Sequence, residues 1–239
     1  MRIKQTICFL AIESKKYDKA DICINGKVIQ RVNTVKFLGV YIDDDLNWKK
    51  HISTYHISAK ISKNHGILNR IKNIISFKTL TMLYFTMIHP YLVYCNVIWG
   101  SASHLALSQL ISLQKRALRI ITGSSYLAHT APLFAQKRIL NIYDLYKLQV
   151  LIFMYKEKHN MLPECCSSYI KITSKTRRYA LRSDFDFESD ICRTVVRSRF
   201  ISVIGPKLWN GLPENIRNCD SLSFYKSCVT NYYIQFYST

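Results

Sequence analysis

Acidic residues are scarce in this chain of 239: 15 Asp and Glu stand against 34 Lys and Arg, for a formal net charge of +19 and a pI of about 9.6. Such a balance favours a polyanionic partner, nucleic acid before an acidic membrane surface, and leaves the fold open. Paired metal-ligand cysteines are missing as well. None of the 8 cysteines sits in a C-x-x-C pair, and adjacent Cys165 and Cys166 do not build one tetrahedral site, which excludes zinc ribbons and fingers. The cysteines read as free thiols of an intracellular protein, several of them packed as small hydrophobes. There is no G-x-x-x-x-G-K-[ST] loop, no G-x-S-x-G elbow, no H-E-x-x-H pair and no internal repeat. No signal peptide opens the chain, because Arg2, Lys4, Lys15 and Lys16 bracket too short and too polar an apolar run.

Charge disappears altogether from Thr79 to Leu113. The run from Leu80 to Trp99 approaches the length of a membrane-spanning helix. Threonines, His89, Asn96, several tyrosines and a central Pro90 dilute it, so a buried helix over Lys78–His89 and a second short segment ending at Trp99-Gly100 are expected instead.

What is present suffices for a packed protein. Apolar residues make up 49 % of the chain, too many for disorder. Residues 1–42 alternate like strands. Ile3, Ile7 and Phe9 mark a first strand, Asn25-Gly26 a hairpin turn, and Val35 to Ile42 a further strand. Helical periodicity then takes over. Residues 47–73 carry an apolar face with Lys60, Lys63, Arg70 and Lys72 on a basic one, and Gly66 weakens that helix. Residues 104–122 form the clearest helix, with Lys115, Arg116 and Arg119 along one edge and Gly123 as its C-cap. Asn141 or Asp144 opens a helix to Lys158 that Leu162-Pro163 ends. His129 and His159 stand alone, which suits surface or packing roles.

Residues 164–200 interleave Arg177, Arg178, Arg182, Arg193, Arg197 and Arg199 with Tyr179, Phe185 and Phe187 in expected loops. That mixture suits a nucleic-acid backbone with unstacked bases, or a mobile basic linker. Gly205 to Arg217 read as a compact turn-rich element anchored by Trp209, and Leu222–Tyr233 as a closing helix. The fold class is therefore α+β: a small N-terminal antiparallel β-meander, then a mostly α-helical bundle and a turn-rich C-terminal element. The divisions fall at 1–46, 47–163 and 164–239.

Tyr41-Ile42-Asp43-Asp44 holds the most suggestive chemistry, since two adjacent carboxylates on a hairpin can hold divalent metals for phosphoryl transfer. A third carboxylate from an earlier strand is needed, and Glu13, Asp18 and Asp21 lie in polar, Lys-rich surroundings. Asp44, Asp45 and Asn47 are expected instead as turn and cap residues of the following helix.

The order of elements resembles the C-terminal part of reverse transcriptases from non-LTR retrotransposons, the jockey-like and LINE-type elements. The resemblance is carried by Phe37-Leu38-Gly39-Val40 with Asp43 and Trp48, Pro90-Tyr91-Leu92, and Trp99-Gly100. It continues through Leu113-Gln114-Lys115-Arg116-Ala117-Leu118-Arg119, Ala128-His129-Thr130-Ala131-Pro132-Leu133 and Gly205-Pro206-Lys207-Leu208-Trp209-Asn210. It implies that the Phe-Leu-Gly-Val run follows the catalytic aspartates, so Asp43 and Asp44 are not catalytic and this chain alone is not an enzyme. The Mg2+ of the parent polymerase would be held by domains upstream. By the same resemblance the chain is the end of the palm, the thumb and a C-terminal extension, and its partner is RNA or an RNA–DNA hybrid rather than a small molecule or a membrane. Phosphate contacts are expected from Lys115, Arg116 and Arg119, then from Lys60, Lys63, Arg70 and Lys72, and Phe37, Leu38 and Gly39 match a primer-grip strand. The alternatives are a transposon remnant without function, or a membrane-associated protein built on residues 79–100.

Overall fold

The structure is a computed structural model that describes residues 6–7, 23–28, 30–53, 56–167, 169–170, 172 and 187–237. Strands come first and helices follow, which makes the protein α+β. β1 (Thr6–Ile7) lies parallel to β4 (Gln30–Arg31), and β2 (Cys23–Ile24) lies antiparallel to β3 (Lys27–Val28). The Asn25-Gly26 turn forms as expected, both residues taking positive φ (51° and 73°). β5 (Thr34–Phe37) pairs antiparallel with β6 (Val40–Asp43). The described strands thus make three separate pairs and not one meander.

The strand expected from Val35 to Ile42 is folded back on itself. Leu38 and Gly39 take φ of 44° and 84°, so a tight turn reverses the chain between β5 and β6. Glycine supplies the left-handed backbone at no steric cost, and Leu38 is carried with it. Phe37 and Leu38 are left 62 % and 73 % exposed at the tip, while Val40 turns into the core.

The helix expected over 47–73 is two helices, α1 (Lys49–Ile52) and α2 (Ile57–Ile71). Side-chain oxygens bond to the backbone at the start of α1 and across the break. Asn47 Oδ1 accepts the Lys49 N–H at 2.9 Å, and Ser58 Oγ donates to the Ile52 carbonyl at 2.6 Å, so hydroxyl and amide groups compete with the backbone ladder. Gly66 lies inside α2 without ending it.

The uncharged run divides into α3 (Phe77–Met87), α4 (His89–Val93) and α5 (Asn96–Trp99). Pro90 sits in the first turn of α4, where its missing N–H costs nothing. Cys95, at φ 52°, turns the chain into α5. α3 is not buried all round as expected. Leu80 and Tyr84 face inward, while Phe77, Met82 and Phe85 are exposed. Among the described residues no helix is long and apolar enough to cross a membrane.

α6 (His104–Thr122) has the expected bounds, with Ser103 accepting the Ala106 N–H and Gly123 closing the helix at φ 67°. Leu105, in its first turn, is 80 % exposed. After α7 (Ala131–Lys137), Asn141 Oδ1 accepts the N–H groups of Tyr143 and Asp144 and opens α8 (Ile142–Lys158). α8 packs against α4, α5 and α6. Short helices α9 (Glu164–Ser167) and α10 (Val195–Ser198) follow, then α11 (Ile201–Asn210), α12 (Glu214–Arg217) and α13 (Leu222–Ile234).

The Gly205 to Asn210 stretch, expected as turns, is helical. Gly205 lies so close to α8 that a Cβ there would meet Met154 Sδ at 2.5 Å, so glycine serves helix packing here. Buried Pro206 is accepted within α11 at the loss of one backbone hydrogen bond. Trp209 is the anchor the sequence suggested, fully buried with Phe187 5.5 Å and Tyr225 5.7 Å away between ring centres. Phe187, read as one of the aromatics available to bases, is core at 1 % exposure. Arg177, Arg178, Arg182, Tyr179 and Phe185 lie outside the described residues.

Candidate nucleic-acid interface

α2 and α6 pack along one another, and their buried faces fix what is left outside. α2 buries Ile57, Ser58, Ile61 and Leu68, which leaves His65, Asn69 and Lys72 as a stripe beside them at i, i+4 and i+7. α6 buries Leu113, Gln114, Ala117, Leu118 and Ile121, which leaves Arg116 and Arg119 one turn apart. Gln114 pins α6 in place by donating from Nε2 to Tyr84 Oη at 3.1 Å and to the Leu140 carbonyl at 2.9 Å.

The two stripes face an open cleft of about 650 Å³ lined by His65, Asn69, Lys72, Asn73, Phe77, Arg116, Arg119, Ile120, Gly123, Ser124 and Tyr126. No carboxylate lines it. Between Asp45 and Asp144 the chain carries no Asp or Glu at all, against twelve Lys and Arg. The positive field of the cleft is therefore not neutralised from within. Burial chiefly, and then the charges of Arg116 and Lys72, push the His65 pKa below the usual histidine value. Arg119 is partly engaged, its Nε donating to the Ala128 carbonyl at 3.0 Å and its guanidinium lying 5.9 Å from the Tyr126 ring centre. Gly123 lets the Phe77 ring lie against the end of α6, since a Cβ there would approach the ring to 2.7 Å.

Of the seven cations expected to meet phosphate, the fold gathers Lys72, Arg116 and Arg119 in this cleft. Lys115, Lys63 and Arg70 are exposed outside its lining, and Lys60 lies 5.4 Å from the Tyr91 ring centre. Sequence reasoning missed His65, Asn69, Asn73, Phe77 and Tyr126. The helical spacing of His65, Asn69 and Lys72 and the long acid-free interval were the available signals.

Phe37, Leu38 and Gly39 form a second feature, the tip of the β5–β6 hairpin. Tyr94 Oη donates to the Leu38 carbonyl at 2.5 Å, and His56 Nε2 lies 3.1 Å from the Gly39 carbonyl. His51, 1 % exposed, accepts the Tyr41 N–H on Nδ1 at 3.3 Å. Burial, with help from the neighbouring His56 and Lys60, holds the His51 pKa down at about 4. The folded protein then resists a proton that the unfolded chain takes up below pH 6.5. Stability is expected to be full above pH 6.5 and to fall as pH drops towards 4, by about 2 kcal/mol at pH 5 from this group alone. Urea midpoints at pH 7 and pH 5 check it, and His51→Gln should flatten the difference.

Asp43 and Asp44 are each engaged locally in the hairpin and the turn that follows it. Asp43 is buried at 6 % exposure, takes a 3.5 Å hydrogen bond from Thr34 Oγ1, and has its pKa raised chiefly by desolvation. Asp44 Oδ1 accepts the Asp45 N–H at 3.1 Å, a turn role, and Asn47 caps at the entrance to α1. Among the described residues no three His, Cys, Asp or Glu side chains are grouped to hold a metal. Glu13, Asp18 and Asp21 lie outside the described residues.

Fold and cleft together define an α+β protein whose helical part presents a cationic, carboxylate-free groove. Its sequence is similar to RNA-directed DNA polymerases of mobile elements. The chain is 24 % identical over 160 residues to the RNA-directed DNA polymerase from mobile element jockey of Drosophila funebris, a match covering 66 % of this chain and 17 % of that protein. It is 23 % identical over 140 residues to the probable RNA-directed DNA polymerase from transposon X-element of Drosophila melanogaster, covering 58 % and 15 %. Against the corresponding protein of transposon BS the identity is 27 % over 109 residues, covering 45 % and 12 %. The match thus spans less than a fifth of the length of these relatives. No family model matches the chain, and no solved structure matches it.

Proposed function

We propose that this chain is a non-catalytic part of a retrotransposon RNA-directed DNA polymerase, the end of the palm with the thumb, and that it grips RNA or an RNA–DNA hybrid by its backbone. The observation that carries this reading is the meeting of Lys72, Arg116 and Arg119 with His65 in one cleft that no carboxylate lines. Phosphate contacts of this kind hold a strand in place without reading sequence. The Phe37-Leu38-Gly39 tip, exposed yet tied down by Tyr94 and His56, would lie against the primer strand. Metal chemistry belongs to other parts of such a polymerase, because Asp43 and Asp44 serve the hairpin and turn of this one.

Fluorescence anisotropy on a labelled RNA–DNA hybrid across a salt series tests the proposal. Three phosphate contacts predict that log K falls with log salt with a slope of about −2 to −3. A folded protein that ignores the hybrid at every salt concentration would sink it.

A further inference from the structure

We infer that the α2–α6 cleft receives a segment of unpaired strand, its phosphates at Lys72, Arg116 and Arg119 and a base on the exposed aromatics. This rests on the reading of the cleft as a nucleic-acid site and adds the class of strand it takes.

The first argument is shape. A duplex presents its phosphates on the outside of a broad rod, and a row of cations on a convex helix face is enough to meet them. Here the cations lie in a re-entrant space of about 650 Å³. That falls within the range of about 300–1,000 Å³ filled by small-molecule and cofactor ligands.

The second argument is the chemistry of the remaining walls. Phe77 is 54 % and Tyr126 71 % exposed, and both line the cleft that holds the cations. Paired bases inside a duplex show no face to such rings. An unstacked base does, and stacking contributes about 1–3 kcal/mol per base whatever its identity. Asn69 and Asn73 add two amides to the same lining, each with donors and an acceptor for a base edge. Phosphate-only recognition has no use for those acceptors.

The third argument is the bracing of the walls. Gly123 allows Phe77 to lie against the C-terminal end of α6, and Arg119 ties the loop that carries Tyr126 through Ala128 and through its guanidinium over the Tyr126 ring. With Nε spent on Ala128, Arg119 keeps its terminal Nη groups for a phosphate. The rings are therefore held beside the cations by the fold before any ligand arrives.

The test compares a blunt RNA–DNA hybrid with the same hybrid carrying a short single-stranded extension, with 2-aminopurine in the extension as a stacking reporter. The expected result is about tenfold tighter binding of the extended hybrid, with 2-aminopurine fluorescence quenched on binding. Phe77→Leu with Tyr126→Leu should remove the preference for the extended hybrid and the quenching. Both residues are more than half exposed, so the variant is expected to fold, and circular dichroism checks it. Equal, salt-dependent affinity for both hybrids overturns this inference and leaves the backbone grip standing. No binding to either hybrid overturns both.

Discussion

Reversing the cleft with Lys72→Glu, Arg116→Glu and Arg119→Glu is expected to weaken hybrid binding by on the order of a hundredfold or more at 0.1 M salt, because three attractions become three repulsions. Folding should survive. Lys72 and Arg116 are exposed, and among the described residues neither makes an ion pair that the change would break. New carboxylates in so acid-poor a region relieve like-charge repulsion. Arg119 has a second duty at Ala128 and Tyr126, so Arg119→Gln alone serves as the control for loop bracing. Lys115→Glu, one residue from Arg116 but outside the cleft lining, should cost only a few-fold. A triple variant that keeps native affinity and native circular dichroism would remove the cleft from consideration. Equal losses from Lys115→Glu and Arg116→Glu would mean that net charge, not the cleft, governs binding.

The second large effect concerns stability. Trp99→Ala is expected to cost about 3–5 kcal/mol, as removal of a fully buried indole does when its surroundings cannot close the gap. That is a large share of the roughly 5–15 kcal/mol that holds an ordinary domain together. Trp99 also donates from Nε1 to the Tyr94 carbonyl at 2.8 Å, and its ring meets His51 edge-on at 5.7 Å. Since Tyr94 in turn holds the Leu38 carbonyl, losing the indole should loosen the hairpin tip as well. Urea unfolding followed by circular dichroism measures it, with a lower midpoint at unchanged slope. Trp99→Phe keeps most of the volume and should lose less, about 1–2 kcal/mol, from the missing hydrogen bond. A loss below about 1 kcal/mol for Trp99→Ala would show that the site repacks.

The contrast between α6 and its neighbours shows what can be read without coordinates. α6 announces itself by period, by Ser103 before it and by Gly123 after it, and those signals are local. The helix over 47–73 failed because a period does not reveal Ser58 reaching back to the Ile52 carbonyl. The pattern of Val35, Phe37 and Val40 suits a strand running through Leu38-Gly39, and only the paired register shows the reversal. Gly205-Pro206 carries a turn signature, yet it is helical, with Gly205 packed against Met154 of α8. For the cleft, Lys72, Arg116 and Arg119 were legible as cations on faces. Their convergence was not, because it depends on how α2 lies on α6. Phe77 and Tyr126 were invisible for the same reason: an aromatic flanking a helix reads as core until its exposure is known.

α8 has one further consequence. It buries eleven of its residues, packs on α4, α5 and α6, and also receives α11 and α13. Tyr225 Oη donates to its Leu151 carbonyl, and its Tyr155 Oη donates to the Asp220 carbonyl at 2.9 Å. The last forty residues are thus not an appendage whose loss would leave a smaller working protein. A stop codon anywhere before α13 would uncover the part of α8 that α13 covers, and α8 supports α6, one wall of the cleft. Under mutation, then, the tail should be as intolerant of truncation as the middle, and copies of this sequence that lose it should lose the cleft with it.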